Sequence, residues 1–318
     1  MTAPVILLGY ALLVGTVGAG LLQRSRWPQR SPRTGILVWQ ALTTSVVLSV
    51  ILAGIALALP TLPLTADLAG WLHACALALR AHYATPGGAG LATAGAVLAA
   101  SVAARSLYCL GAGWSTARRR RGRQRQGVRL IAHRDTGSGA LVVPHDTAVV
   151  YCMPGRRGQV VLTSGALDAL DEAELTAVLA HERAHLRMRH DTVLTAASAL
   201  RTAFPFVPAF TLGHAELARL VEMHADDAAV SDGNRRPLAT ALVTLAGATH
   251  PAGTLAAGGA TALARVQRLA QPVEPLGLAK SVLVVATALA MLVVPLLIAA
   301  APAAAAAAMD YCPILFPA

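Results

Sequence analysis

Four stretches of this chain run for the length of a bilayer without a charged side chain: Ala3–Leu22, Ile36–Leu59, a run within Ala81–Ala104, and Ser281–Ala300. A lipid core of about 30 Å takes about 20 apolar residues as a helix, and an isolated segment satisfies its own backbone there only as a helix. Each run is therefore expected to span, over about 3–22, 36–59, 84–104 and 281–300. This divides the chain into three transmembrane helices over 1–112, a polar segment over 113–279, and a final helix with a short tail over 280–318. Composition agrees: 13% of the 318 residues are charged, against about a quarter in a soluble domain. The first run has no Arg or Lys before it and outlasts a signal-peptide core, so it is read as a retained helix. The third is rich in Gly and Ala, which predicts close packing against another helix.

The net charge of +10 comes almost wholly from arginine. Arg24, Arg26, Arg30 and Arg33 lie between the first two runs, and seven arginines from Arg118 to Arg129 follow the third. The loop between the second and third runs holds Asp67 and Arg80. Basic loops stay in the cytoplasm. The expected orientation is a cell-membrane protein with its N-terminus and tail outside and residues 113–279 inside. Arginines just inside a spanning helix anchor it to anionic lipid, and no nucleic-acid-binding motif accompanies them. The four cysteines, Cys75, Cys109, Cys152 and Cys312, have no C-x-x-C spacing, so neither a disulfide framework nor a thiolate metal site is expected.

Within the polar segment, "ALVVPHDTAVVYCMPGRRGQVVL" (residues 140–162) alternates β-branched runs with turn residues and reads as two or three strands. Thr163 or Ser164 should cap a short turn. Asp171 and Glu174 then have capping-box spacing ahead of an apolar-periodic run carrying Leu175, Val178, Leu179 and Leu186 on its buried side.

That run contains "AVLAHERAHLRMRHD". His181 and His185 are four residues apart and share one helical face, with Glu182 beside them. H-E-x-x-H on a helix binds zinc through two imidazoles and uses the Glu as general base. Chance would produce it in a chain of this His and Glu content about once in 170. A catalytic zinc needs a third protein ligand. The downstream acids are Asp191, Glu216, Glu222, Asp226, Asp227 and Asp232. "ELARLVEMHADDAAVSDG" predicts a helix from about Glu216 to Val230, with Glu222 and Asp226 one turn apart on one face. Glu222 suits a third ligand, and Asp226 suits a carboxylate that orients a ligating histidine. The plainer alternative for both is a solvated helix surface.

Together, "LAHERAHLRMRHD", the E-x-x-x-D beyond it and the preceding "VVYCMPG" resemble the BlaR/MecR-like membrane zinc metallopeptidases (metallopeptidase family 56), relatives of the HtpX-like family 48. The resemblance implies a mainly α chain: polytopic membrane helices plus a cytoplasmic gluzincin-type α+β zinc peptidase domain. It implies one Zn2+ per chain on His181, His185 and Glu222, with Glu182 as base and Asp226 behind the ligands. It also implies that the strand before the active helix pairs with the substrate backbone, although a plain core strand is equally compatible with the residues. The sensors of that group carry a penicillin-binding domain for which this sequence has no segment, so β-lactam sensing does not carry over. The expected partners are the bilayer and a protein or peptide substrate, a transcriptional repressor being the one the resemblance suggests. Membrane-protein quality control is a second enzymatic reading. A silent zinc-binding scaffold is the rival from outside enzymology, and Glu182 argues against it.

Three smaller expectations remain. Thr192–Gly213 is nearly long enough to span, but a single crossing would put Glu222 on the opposite side from His181. It should therefore dip in and return or, as the preferred reading, lie along the membrane face of the peptidase segment. Cys152 reads as a small buried hydrophobe. His190 and His224 read as helix-surface residues, with oxyanion stabilisation as the alternative.

Overall fold

The computed structural model describes residues 2–58, 88–155, 158–230, 235–249, 257–271, 274 and 276–310. The orientation argument leans partly on Asp67 and Arg80, which lie outside the described residues, as do Asp232, Cys75, Cys312 and residues 311–318. The chain opens with α1 (Thr2–Leu13), one π-helical turn (Val14–Gly18) and α2 (Ala19–Arg24). The single turn α3 (Trp27–Arg30) leads to α4 (Pro32–Ala58), and α5 follows over Gly88–Ile131. α4 and α5 cross at glycine. A Cβ on Gly54 would sit 2.6 Å from the Gly95 carbonyl oxygen and 2.8 Å from Ala99 Cβ, and one on Gly95 would overlap Leu57. The small residues of the third run thus do what their composition predicts.

α5 is longer than the expected third span. Its 44 residues reach about 66 Å at 1.5 Å per residue, roughly twice a lipid core. The basic stretch that follows the apolar run is helical, not a loop. Arg and Gln are good helix formers, no proline interrupts them, and the far end is tied down by Val128, buried against Met153 and Val161.

That end of α5 covers one face of a four-stranded sheet built from β1 (His133–Arg134), β2 (Leu141–Val143), β3 (Val150–Met153) and β4 (Gln159–Thr163). The order is β1-β2-β4-β3, with β2 and β4 parallel and the other pairs antiparallel. β3, register-paired Cys152 to Val160, is an edge strand. Thr163 caps the short α6 (Ser164–Ala169), and α7 (Glu172–Arg187) follows. The capping box at its start is present: Glu174 N–H donates to Asp171 Oδ1 at 2.8 Å, and Asp171 N–H donates to Glu174 Oε2 at 3.1 Å. Period-2 alternation then places α7 on the second face of the sheet. Val142, Val160 and Leu162 pack against Leu179, flanked by Leu175 and Leu186.

α8 (His190–Ala203) and α9 (Pro208–Ala229) form a hairpin broken at Phe204–Val207, where Pro205 and Pro208 interrupt the helix. α9 therefore starts eight residues earlier than the expected Glu216. The hairpin does not lie flat against the outside of the spanning helices. Ala197, Ala203, Phe204, Phe210, Leu217 and Val221 share a core with Trp39, Leu42 and Val46 of α4. Val207, at the tip, approaches Gly15 of the π-helical turn together with Val46, midway along α4, and Arg105 of α5 donates to the Ala203 carbonyl at 2.6 Å. The two helices fold back on each other, so both ends of the hairpin lie away from the level of Gly15 and Val46. α10 (Arg235–Thr249), α11 (Ala257–Ala270) and α12 (Leu278–Asp310) complete the chain. Among the described residues, four stretches are long and apolar enough to cross a membrane: Thr2–Arg24, Pro32–Ala58, Ala89–Ile131 and Leu278–Pro302.

The glycine crossing gives a direct test. Gly54→Leu should destabilise the purified protein by about 1–3 kcal/mol through overpacking, read as a lowered Tm in detergent. Gly9→Leu, where a Cβ meets nothing within 4 Å, should leave Tm within error. Equal melting of the two variants would mean α4 and α5 do not meet there.

Candidate metal centre

α7 presents His181 and His185 on the face turned toward α9, and α9 returns Glu222 to them. His181 Nε2 and His185 Nε2 are 3.0 Å apart. Glu222 Oε2 lies 3.6 Å from the first, and Oε1 lies 3.5 Å from the second. Three donors around a tetrahedral zinc at 2.0–2.1 Å would stand about 3.3 Å from one another. The triangle formed by these side chains therefore fits zinc in both size and donor type. The structure also brings the fifth expected residue to the site: Asp226, 1% exposed, has Oδ1 3.0 Å from His181 Nδ1, although the approach is off the line of a good hydrogen bond.

Asp226 is held by a residue that the sequence did not single out. Arg265 of α11, itself buried, donates from Nε to Asp226 Oδ2 at 2.8 Å and from Nη2 to Oδ1 at 2.6 Å. Its Nη1 lies 3.0 Å from Glu222 Oε2. One turn along, Arg268 forms the same two-pronged pair with Asp227, at 2.6 and 2.8 Å, and donates to the Gln29 carbonyl at 3.1 Å. Two arginines three apart thus grip two consecutive aspartates. Bidentate guanidinium–carboxylate pairs fix orientation as well as charge. The three-residue spacing on an amphipathic helix was the available signal, but it looks the same as a solvated basic face.

His190 and His224 were expected at the surface, and the structure places them otherwise. α7 stops at Arg187, and Arg189 takes a left-handed conformation (φ 51°). That turn costs a non-glycine residue about 1–2 kcal/mol, and it folds His190 back beneath His185. His190 is 2% exposed. Its Nδ1 lies 2.9 Å from His185 Nδ1, and its Nε2 lies 3.2 Å from His224 Nδ1. If His185 Nε2 is left free to ligate, one proton arrangement satisfies the chain. His185 Nδ1–H donates to His190, and His190 Nε2–H donates to His224.

Charge in the site follows burial and neighbours. Burial opposes a charge on His181, but Asp226 and Glu222 outweigh it and push its pKa up to about 9. Burial lowers His185 to about 4, and burial with the adjacent His185 and His224 lowers His190 to about 3. Burial would raise Asp226, but Arg265 and His181 outweigh it and bring it down to about 2. Glu182 is raised, mainly by burial, and its carboxylate lies against the thiol and backbone amide of Cys152. Burial, then Glu182, pushes the Cys152 thiol up to about 12. Cys152 is thus a neutral, half-buried thiol, as its reading as a small hydrophobe implies.

Residues 117–217 match the model of Peptidase family M48. The match takes in His181, Glu182 and His185 and stops short of Glu222 and Asp226, so the acidic half of the site rests on geometry. No curated protein and no solved structure matches the chain. Over its matched stretch the chain is similar to the peptidases of family 48, the relatives of the family 56 group that its motifs resemble.

Proposed function

We propose that this protein is an integral-membrane zinc endopeptidase. The observation that carries the reading is the triangle of His181, His185 and Glu222, sized for zinc, with Glu182 one residue along the same helix. A zinc ion held there would lower the pKa of a water ligand toward 7 and polarise the scissile carbonyl. The chain's own residues do the rest. An extended substrate adds as a strand to the free edge of β3, which brings its backbone past Cys152 to Glu182. Burial raises the Glu182 carboxylate toward the working pH, where a general base is most effective. Glu182 takes one proton from the attacking water as its oxygen bonds to the carbonyl carbon. It returns that proton to the amide nitrogen as the C–N bond breaks, leaving a carboxylic acid and an amine, and the acid's remaining proton then passes to the amine to give carboxylate and ammonium. His185 is held with Nε2 inward by the His190–His224 relay, and His181 is steadied by Asp226 and Arg265 behind it.

The site lies on the side of the basic loops, since α11 reaches Gln29 between the first two spans through Arg268. By the charge rule that side is cytoplasmic, so the substrate is a protein or peptide at the cytoplasmic membrane face. The expectation of a repressor substrate rested on the resemblance to family 56, to which the family 48 match does not extend.

Two measurements test this reading. Purified protein should hold about one zinc per chain. Glu182→Gln should keep the zinc yet cleave an unfolded protein substrate about 100- to 10,000-fold more slowly, whereas His181→Ala should lose both. A Glu182→Gln variant as active as wild type would contradict the mechanism. For the relay, His190→Leu should weaken zinc about 10- to 100-fold in chelator competition, and His190→Asn, which still offers an acceptor, should recover most of the loss. Equal zinc affinity in all three proteins would show that His185 needs no support.

A further inference from the structure

Beside the site, the arginines of α5 face the peptidase segment across an open cleft with two lobes of about 750 and 660 Å³. Arg118, Arg121 and Arg125 line the first lobe, and Arg121 with Arg183, Arg187 and Arg189, of α7 and the turn after it, line the second. Both lobes include Arg121, Pro154 and Gly155. The acid that lines the cleft, Asp191, is engaged by Arg121 at 2.9 Å. Arg125 donates to the Pro154 carbonyl at 3.0 Å, which ties α5 to the end of β3. The edge strand ends at Met153, one residue beyond Cys152, and the chain continues through Pro154 and Gly155 into an arginine-lined space.

From this we infer that the cleft recognises an acidic segment of the substrate, about three residues from the bond that is cut. The inference rests on the endopeptidase reading. An extended peptide paired with β3 advances about 3.3 Å per residue, so its third residue from the level of Cys152 lies at most about 10 Å away, past the end of β3 at Met153 and beside Pro154 and Gly155. Antiparallel pairing is the more stable of the two, and it puts the acidic residue on the N-terminal side of the scissile bond. A lipid headgroup is a poorer occupant. Along α5, Arg125 is 11 residues, about 16 Å, beyond the exposed Trp114 that lines the same lobe, a span longer than one headgroup layer, and the second lobe is lined by Arg183, Arg187 and Arg189 of the peptidase segment. Opposed charge that is partly shielded from water supplies specificity more than raw affinity.

The test uses the zinc-loaded full chain carrying Glu182→Gln, in zwitterionic nanodiscs. Two fluorescent peptides differ in one residue, Glu or Gln, three positions before the central bond. The Glu peptide should bind about fivefold tighter by anisotropy, with the preference shrinking as salt rises. Arg118→Gln with Arg187→Gln should abolish the preference, and Arg119→Gln with Arg120→Gln, off the cleft, should not. Equal binding, binding of neither peptide, or a preference that survives the first pair of changes overturns the inference. A preference lost when anionic lipid is added overturns it too, and assigns the cleft to headgroups. Zinc content and cleavage by the wild-type protein are read separately. If the protein holds zinc and cuts the Gln peptide but shows no preference, the cleft assignment alone fails. If it neither holds zinc nor cleaves, the endopeptidase reading fails.

Discussion

The site depends on one buried carboxylate. Asp226 is almost fully enclosed, and three helices meet on it: α9 carries it, α7 brings His181 to within 3.0 Å, and α11 brings the two-pronged Arg265. A charge removed from water at that depth costs several kcal/mol unless it is paired. Each partner therefore has to be in place for the others to be tolerated. Once they are, the register of α9 on α7 is set, and Glu222, one turn earlier on the same face, falls between the two motif histidines. The triangle of His181, His185 and Glu222 is a consequence of that packing.

The second constraint is topological. The two halves of the site are separated by the segment 192–213, and the site forms because that segment folds back on itself. Pro205 and Pro208 break it, the α8–α9 hairpin packs against α4 and α5, and Arg105 satisfies the carbonyl left open at Ala203. The same hairpin brings His190 and His224 together. α9 turns Glu222 and Asp226 toward α7 and His224 toward α8, so one helix supplies the carboxylate between the motif histidines and also the far end of the relay behind His185.

Much of this was legible in the sequence, and the reasons are specific. Spanning helices announce themselves by length without charge, α7 by its capping box and apolar period, and the meeting of His181 with His185 by their four-residue spacing on one helical face. That Glu222 and Asp226 would stand together toward the motif was readable because acids are scarce and these two share a face. Arg265 was not, because its partner is 39 residues away and an arginine on a short amphipathic helix looks like a solvated one. His190 was misjudged because the motif helix does not continue to it, and His224 because its partner, His190, lies 34 residues away on another helix. The left-handed turn at Arg189 ends α7, and His190 belongs to the next element. The extension of α5 was missed for a related reason: a run of arginines marks a membrane boundary by charge, but its helical propensity carries the helix on until Val128 finds the sheet.

The central claim is that two imidazoles and one carboxylate hold a zinc ion beside Glu182. X-ray absorption at the zinc edge of the loaded protein tests it most directly. The account predicts nitrogen and oxygen neighbours at about 2.0–2.1 Å with outer-shell scattering from two imidazole rings, and no sulfur. A sulfur shell at about 2.3 Å, which would require the Cys152 thiol to ligate, or scattering from a single imidazole, would contradict it.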